Sequence, residues 1–347
     1  DYFNWGIERN GRRETADGRY LTDVFTAEAV DFVRRHRQEP FMLCVMYNAP
    51  HSPLQAPDEV VQPYLDAGMS PGVAITYAMN EIMDRGVGQI AQTLDELALR
   101  DDTILMFTSD NGPAFNLRPD QVAEGMDTNT LRYNCGFNGQ KGSVYEGGIR
   151  VPMIMNWPGG LEGGRRVDDL LHATDWLPTL ANICGVRRPG GRPLDGCDAL
   201  PILRGSGGEG PARFWQLNAQ QPVGWINAAM RAGPWKLVRP RLAEKPQSDA
   251  DQRLMDRYVE MDIRYKYHPD EVTTFMEDPD PQLTTPPPID PELYNIEHDP
   301  EENNDLAESE PERTSHMLGA LQDWFDGVEA ERRRIQPDGS IVELANE

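Results

Sequence analysis

Two stretches of helical period alternate with two short, unbroken apolar runs inside the first 110 residues, and that order leaves few folds open. From Leu21 the text LTDVFTAEAVDFVRRHR sets Phe25, Ala29, Phe32 and Val33 on one helical face, with Thr22 or Asp23 as its start signal. Pro40 follows, and FMLCVMY (41–47) then reads as a strand buried on both faces. The segment ITYAMNEIMDRGVGQIAQTLDELAL keeps Ile75, Met79, Ile82, Met83, Ile90, Leu94 and Leu97 in period despite Gly86 and Gly88. DDTILMFTSDNG supplies the second buried strand at 103–108. Helix, strand, helix, strand of this kind predicts an α/β fold, a mainly parallel, doubly wound sheet flanked by helices. VPMIMNW (151–157) adds a strand, and about 174–184 adds a helix opened by Thr174 or Asp175 and closed by Gly185.

Past residue 205 the text turns to Gly, Pro and charge, which divides the chain into an α/β body over 1–205 and a C-terminal subdomain over 206–347. In the latter, PWKLV (234–238) and ELYNI (292–296) predict short strands of a small antiparallel sheet. A terminal helix is expected over 315–334, with Leu318, Leu321, Trp324 and Phe325 on one face. The stretch at about 241–291 shows little periodicity and reads as a long acidic insertion.

The chain carries 33 Lys+Arg against 57 Asp+Glu, a formal net charge of −24, and 28 of the acids lie after residue 240. Such a field repels polyanions, which excludes nucleic acid as a general partner. No run approaches the ~20 apolar residues of a membrane span. Four cysteines do not make a disulfide scaffold in a chain of this length. Cys44, inside its apolar run, reads as core, while Cys184 and Cys197 are open to bridging.

In doubly wound sheets, ligands sit beyond the carboxyl ends of the strands, and three polar clusters fall at such places: 48–51, 109–112 and the glycine-rich GQKGSVYEGGIR at 139–150. Asp110 and Asn111 offer a carboxylate and an amide oxygen, hard donors suited to Ca²⁺ or Mg²⁺. A cation of that kind wants about six oxygens, so the pair is half a site. By itself, Asp-Asn-Gly reads first as a turn. Lys141, beside Ser143, Tyr145 and Arg150, can converge with exposed backbone N–H groups on a tetrahedral oxyanion. Alone, the segment reads as a glycine turn with solvated cations, and it lacks the Walker A order. His51 is either a proton donor and anion contact or polar surface, and His172 either a structural hydrogen-bonder or a pocket residue.

Joint occurrence moves these readings. NAPHSPLQAP (48–57), YAMNEIMD (77–84), FTSDNG (107–112), GQKGSVYEGGIRVPMIMNWPG (139–159), HATDWLPTLANICG (172–185), GPWKLV (233–238) and ELYNIEHDPEENNDLA (292–307) together resemble the type I sulfatases of the alkaline phosphatase superfamily, the arylsulfatase group. The resemblance spans nearly the whole chain, and K-G-x-x-Y-E-G-G-x-R-x-P and L-Y-N-I-x-x-D-P-x-E are its specific runs. It implies hydrolysis of sulfate esters, as small molecules or sulfated glycans. It implies that Asp110 and Asn111 ligate a divalent cation, Ca²⁺ or Mg²⁺, and that Lys141 and His51 bind the sulfate or protonate the leaving oxygen. Arg150 then has a mainly structural role supporting the Lys141 loop. At family level the setting leans to the periplasm or the exterior. An acidic protein can hold a sulfate ester if the cation, Lys141 and His51 make the pocket locally positive.

One departure from the family pattern stands out. Members resemble one another in an N-terminal segment with paired metal-binding aspartates and a C/S-x-P-x-R motif, whose Cys or Ser becomes formylglycine, the hydrated aldehyde nucleophile. None of Cys44, Cys135, Cys184 and Cys197 is followed by that motif, and no serine is read before x-P-x-R; Cys184 has the arginine at the right offset and Val186 in place of proline. With Asp1 first and no leader, the expectation is a C-terminal portion of a sulfatase, inactive alone, with the formylglycine in a segment before it. Two alternatives remain: a phosphonate or phosphate ester hydrolase of the same superfamily, and a non-catalytic truncated homologue acting as a binding module.

Overall fold

A computed structural model describes residues 1–122, 125–187, 193–208, 210–218, 222–267 and 278–335. The chain opens on a hairpin, β1 (Gly6–Arg9) and β2 (Arg12–Thr15). Asn10 and Gly11 turn it, both at positive φ (51° and 78°), as a tight two-residue hairpin turn requires. Next come α1 (Leu21–Arg35), α2 (Asp58–Asp66) and α3 (Pro71–Glu96), with α1 and α2 both packed on α3. Gly86 lies where α1 meets α3: a Cβ there would collide with Thr26 Oγ1, so the glycine inside the helical period is a packing requirement. Val24, Met79 and Ile82 join Tyr2, Trp5, Tyr20, Ala49 and Leu54 in one buried cluster.

β3 (Leu105–Thr108), α4 (Glu146–Ile149) and β4 (Met153–Asn156) form the middle of the chain, followed by α5 (Trp176–Ile183) and α6 (Leu200–Leu203). The second half holds β5 (Arg213–Gln216), β6 (Ala228–Ala232), β7 (Trp235–Arg239), β8 (Lys245–Pro246), α7 (Asp249–Tyr267), β9 (Leu283–Thr284), β10 (Glu292–Asn295) and α8 (Pro311–Arg332). Four of these strands make an antiparallel sheet in the order β10-β7-β6-β5. Side chains alternate across it. Met230, Leu237 and Leu293 stand opposite one another and meet Met317 and Leu321 of α8. Ala229, Val238 and Tyr294 face the other way, onto Val144 and Tyr145 of the glycine-rich segment. The sheet is thus a plate with α8 on one side and the 139–150 loop on the other. Leu321 is 1% exposed at the centre of the α8 contact. Leu321→Ala is expected to cost about 2–5 kcal/mol, read as a lower urea midpoint with an unchanged slope.

The α/β class and the C-terminal antiparallel sheet with its helix agree with the sequence reading, and four details differ. Within the described residues every strand pair is antiparallel, including β3 with β4, where Leu105 stands opposite Asn156. A parallel pair needs a crossover to the opposite end of the sheet; the chain after β3 instead returns to the end it left. The 41–47 run is extended but unpaired among the described residues, and its exposure alternates, with Met42 78% and Met46 82% exposed. Phe41 packs edge-on against Phe32 of α1, so one face is covered and the other open; Cys44 is on the open face, not in the core. The insertion contains α7, because 249–267 holds no Pro or Gly and opens with Asp249 and Asp251 near the helix's positive end; its residues 268–277 lie outside the described ones. α8 begins at Pro311, a residue suited to the first turn of a helix, four positions before the expected start. All four thiols are free. Among the described residues no helix is long and apolar enough to cross a membrane.

Candidate functional site

β3 delivers 109–112 at its carboxyl end. Ser109 Oγ donates to Asn111 O at 3.1 Å, and Asn111 Nδ2 donates to Gly112 O at 2.9 Å, so a turn does form here. These bonds leave the acceptors free: no described residue donates to Asn111 Oδ1, and the exposed Asp110 carboxylate has no hydrogen bond or ion pair with the described residues. Backbone and amide nitrogen shape the turn, and the Asp110 carboxylate and Asn111 Oδ1 are left over.

The glycine-rich loop is woven into this turn by its backbone. Gly112 N donates to Gly148 O at 2.9 Å and Lys141 N to Pro113 O at 2.8 Å. Phe115 N donates to Gln140 Oε1 at 2.9 Å. Inside the loop Gly147 N donates to Asn138 O at 2.6 Å, and Ser143 Oγ closes on Gln140 O at 3.0 Å. A Cβ on Gly112 would strike the Gly147 carbonyl oxygen, which is why glycine follows Asp-Asn. Gly112→Ala is expected to cost about 1–3 kcal/mol in urea denaturation, since backbone on both loops must move. Lys141 projects from this framework, exposed, with no ion pair to the described residues. Asp110, Asn111 and Lys141 therefore belong to one interlocked unit.

The structure does not join His51 to that unit. Its Nδ1 lies 2.8 Å from Ser52 O and its carbonyl accepts Tyr2 Oη at 2.9 Å, with the residue exposed. His172 is a structural residue: Nδ1 lies 2.9 Å from Thr174 Oγ1, and its N–H donates to Asp175 Oδ2 at 2.8 Å, capping the turn before α5. Burial, then the Arg213 guanidinium, lowers the His172 pKa below its usual 6.5. As pH falls through about 6.5 the unfolded chain takes up this proton before the folded one, so stability declines on the acid side. His172→Gln is expected to flatten that decline, as measured by urea midpoints between about pH 7 and 5.

Sequence reasoning passed over the groups behind the loop. Lys236 of β7 is 0% exposed, and its Nζ lies 2.9 Å from Glu146 Oε1 and 2.8 Å from Glu302 Oε1. Glu302 Oε2 accepts the Glu146 backbone N–H at 2.7 Å. Arg150 and Arg231 approach Glu146 Oε2 at 3.5 and 3.7 Å, and Arg150 also lies over the Phe137 ring, 4.8 Å from its centroid. Burial raises the Glu302 pKa, with the Lys236 ammonium opposing it. The signal was present in GPWKLV: a lysine inside a short apolar strand faces away from Leu237 and needs a buried acid to meet it.

Asp110 and Asn111 fit a hard cation in kind and fall short in number, and among the described residues no three His, Cys, Asp or Glu side chains gather to complete a shell. The reading that no serine precedes x-P-x-R is corrected by Ser309, which spells S-x-P-x-R with Pro311 and Arg313. It opens α8, where Ser309 Oγ donates to Leu306 O at 3.0 Å and Arg313 lies over Trp235, on the side of the sheet away from the 139–150 loop. Those residues form a helix start, not a second face of the site.

An α/β body whose strand-end loops interlock, backed by a small antiparallel sheet, is the kind of protein these elements define. The Sulfatase family model matches residues 2–186, and the chain belongs to that family. Human steryl-sulfatase is 35% identical over 187 residues, 53% of this chain and 30% of that protein. The uncharacterized sulfatase YdeN of Escherichia coli strain K12 is 36% identical over 208 residues, 58% of this chain and 34% of that one. The crystal structure of Ps i-CgsB in complex with k-i-k-neocarrahexaose superimposes with a TM-score of 0.69 at 26% identity, over 92% of this chain and 58% of that one. The chain thus matches about a third of the length of these curated relatives.

Proposed function

We propose that the full-length protein containing this chain hydrolyses sulfate esters. The observation that carries the reading is the interlock of 110–113 with 139–148, which presents the Asp110 carboxylate, Asn111 Oδ1 and the Lys141 ammonium from one framework with no partner among the described residues. In this reading the Lys141 ammonium meets a sulfate oxygen and offsets charge that builds on the leaving oxygen. His51, exposed on its own loop, gives that oxygen its proton. Asp110 and Asn111 would hold Ca²⁺ or Mg²⁺ through their side-chain oxygens, and the cation would supply Lewis-acid polarisation of the sulfate. The nucleophile is a formylglycine, which none of the four cysteines in these 347 residues encodes. Membership of the sulfatase family supports the reaction; the neocarrahexaose complex of Ps i-CgsB supports a glycan substrate, and the likeness to steryl-sulfatase a small ester. Matched aryl sulfate and aryl phosphonate esters test the reading on the full-length protein. Faster release of sulfate is expected; faster cleavage of the phosphonate, or no release of sulfate, overturns it.

A further inference from the structure

We propose that the buried ion set of Glu146, Lys236 and Glu302 is a positioning device, through which the C-terminal sheet fixes the place of Lys141. The inference rests on the sulfate-ester reading for what Lys141 does, and on geometry alone for what holds it.

Four of the twelve residues of the 139–150 loop are glycine, and of the rest Val144 and Tyr145 pack on the sheet. Besides its bonds to 112–115, it is anchored from the far half of the chain. Asn227, beside β6, donates Nδ2 to Gly142 O at 3.0 Å, one residue after Lys141. Tyr145 Oη donates to Glu292 Oε2 at 2.6 Å, and Tyr294 Oη donates to the same oxygen at 2.9 Å. Glu146 is held twice, by Lys236 through its side chain at 2.9 Å and by Glu302 through its backbone N–H at 2.7 Å. Strand alternation puts Lys236, Tyr294, Glu292 and Arg231 on one face of the sheet, the face that meets the loop. The loop is thus gripped at Gly142, Tyr145 and Glu146, all within five residues of Lys141.

A buried ion set adds little net stability compared with apolar side chains of the same volume, because desolvation offsets the attraction. What it supplies is direction. Lys236 lies between the two carboxylates and Glu302 divides its oxygens between Lys236 and the Glu146 N–H, so a shift of the loop breaks both contacts together. Glu146 also begins the turn that carries Gly147 and Gly148, whose backbone meets Asn138 and Gly112. The chain of contact therefore runs from Lys236 through Glu146 to both halves of the site. Lys236 and Glu302 are positioning residues, not catalytic ones, since neither reaches the loop's exposed surface.

Lys236→Met tests this with two readouts. Backbone amide exchange at Gly112, Lys141 and Gly147 is expected to rise at least about tenfold, while Ala78 and Met79 of α3 keep their protection. In the full-length protein, kcat is expected to fall about 100-fold with KM changed less than about threefold, the mark of a misplaced catalytic group in a folded enzyme. Glu302→Gln, which keeps side-chain size and an acceptor for the Glu146 N–H, gives a smaller effect of the same pattern and carries the test if Lys236→Met does not fold. Unchanged loop protection, or equal loosening of the loop and α3, overturns the proposal. Loop loosening in a wild-type background that releases no sulfate would sink the functional reading and leave the positioning intact.

Discussion

Replacing Lys141 by alanine in the full-length protein is expected to lower kcat for an aryl sulfate by about 10²–10³-fold while leaving the unfolding midpoint where it was. The two halves of that expectation come from different atoms. The backbone of Lys141 is structural, its N–H donating to Pro113 O at 2.8 Å, and alanine keeps that bond. The ammonium has no partner among the described residues, so removing it breaks nothing internal. Steady-state kinetics beside a thermal melt separates the two. Near wild-type turnover would refute the role of Lys141, and a large fall in melting temperature would show the side chain to be structural. Weaker retention of inorganic sulfate, measured by calorimetry, should accompany the loss of rate.

Arg213→Met should give the largest loss of stability, about 3–5 kcal/mol. Arg213 and Asp175 are 4% and 0% exposed, and the guanidinium lies 2.5 Å from Asp175 Oδ1. The same carboxylate accepts the N–H groups of Cys197 at 2.9 Å and His172 at 2.8 Å, which ties the start of α5 to the 195–197 segment and to β5. Methionine fills similar space without the charge, leaving a buried carboxylate uncompensated. Urea denaturation reads the cost. Adding Asp175→Asn should recover part of it, because the pair is then removed together; a double variant no more stable than the single one contradicts the assignment.

The helices were legible because burial writes a period into them: Ala29 and Val33 of the face read in α1, and Met79, Ile82, Ile90 and Leu94 in α3, are buried, while Phe25 and Phe32 are half-buried and the unread Val24 takes the core place. The strands of the C-terminal sheet were legible in part, through Leu237 and Leu293, whose neighbours on the α8 side are apolar. Their other face was not read, because its burial is ionic: Lys236 and Glu302, 66 residues apart along the chain, look like surface residues until the sheet and the 139–150 loop are brought together. Asp110, Asn111 and Lys141 were found as motif residues, yet their interlock depends on backbone bonds that any side chain could make, and only the glycines at 112, 147 and 148 hinted at it. The 41–47 run misled for a related reason. Apolar composition tells how a segment prefers to be covered, and the described residues cover one face of it.

The strands that bracket the acidic excursion, β7 and β10, are ladder partners, with Glu292 opposite Val238. The chain leaves the sheet at Arg239 and returns beside the point of departure, so the intervening stretch is topologically a hairpin turn grown to about 50 residues. Closing such a turn becomes costlier only with the logarithm of its length, about 0.6 kcal/mol for each doubling. Descent can therefore lengthen, shorten or exchange this stretch while the plate that grips the loop is left alone, and a lineage gains a region free to diversify at the rim of a framework that is not.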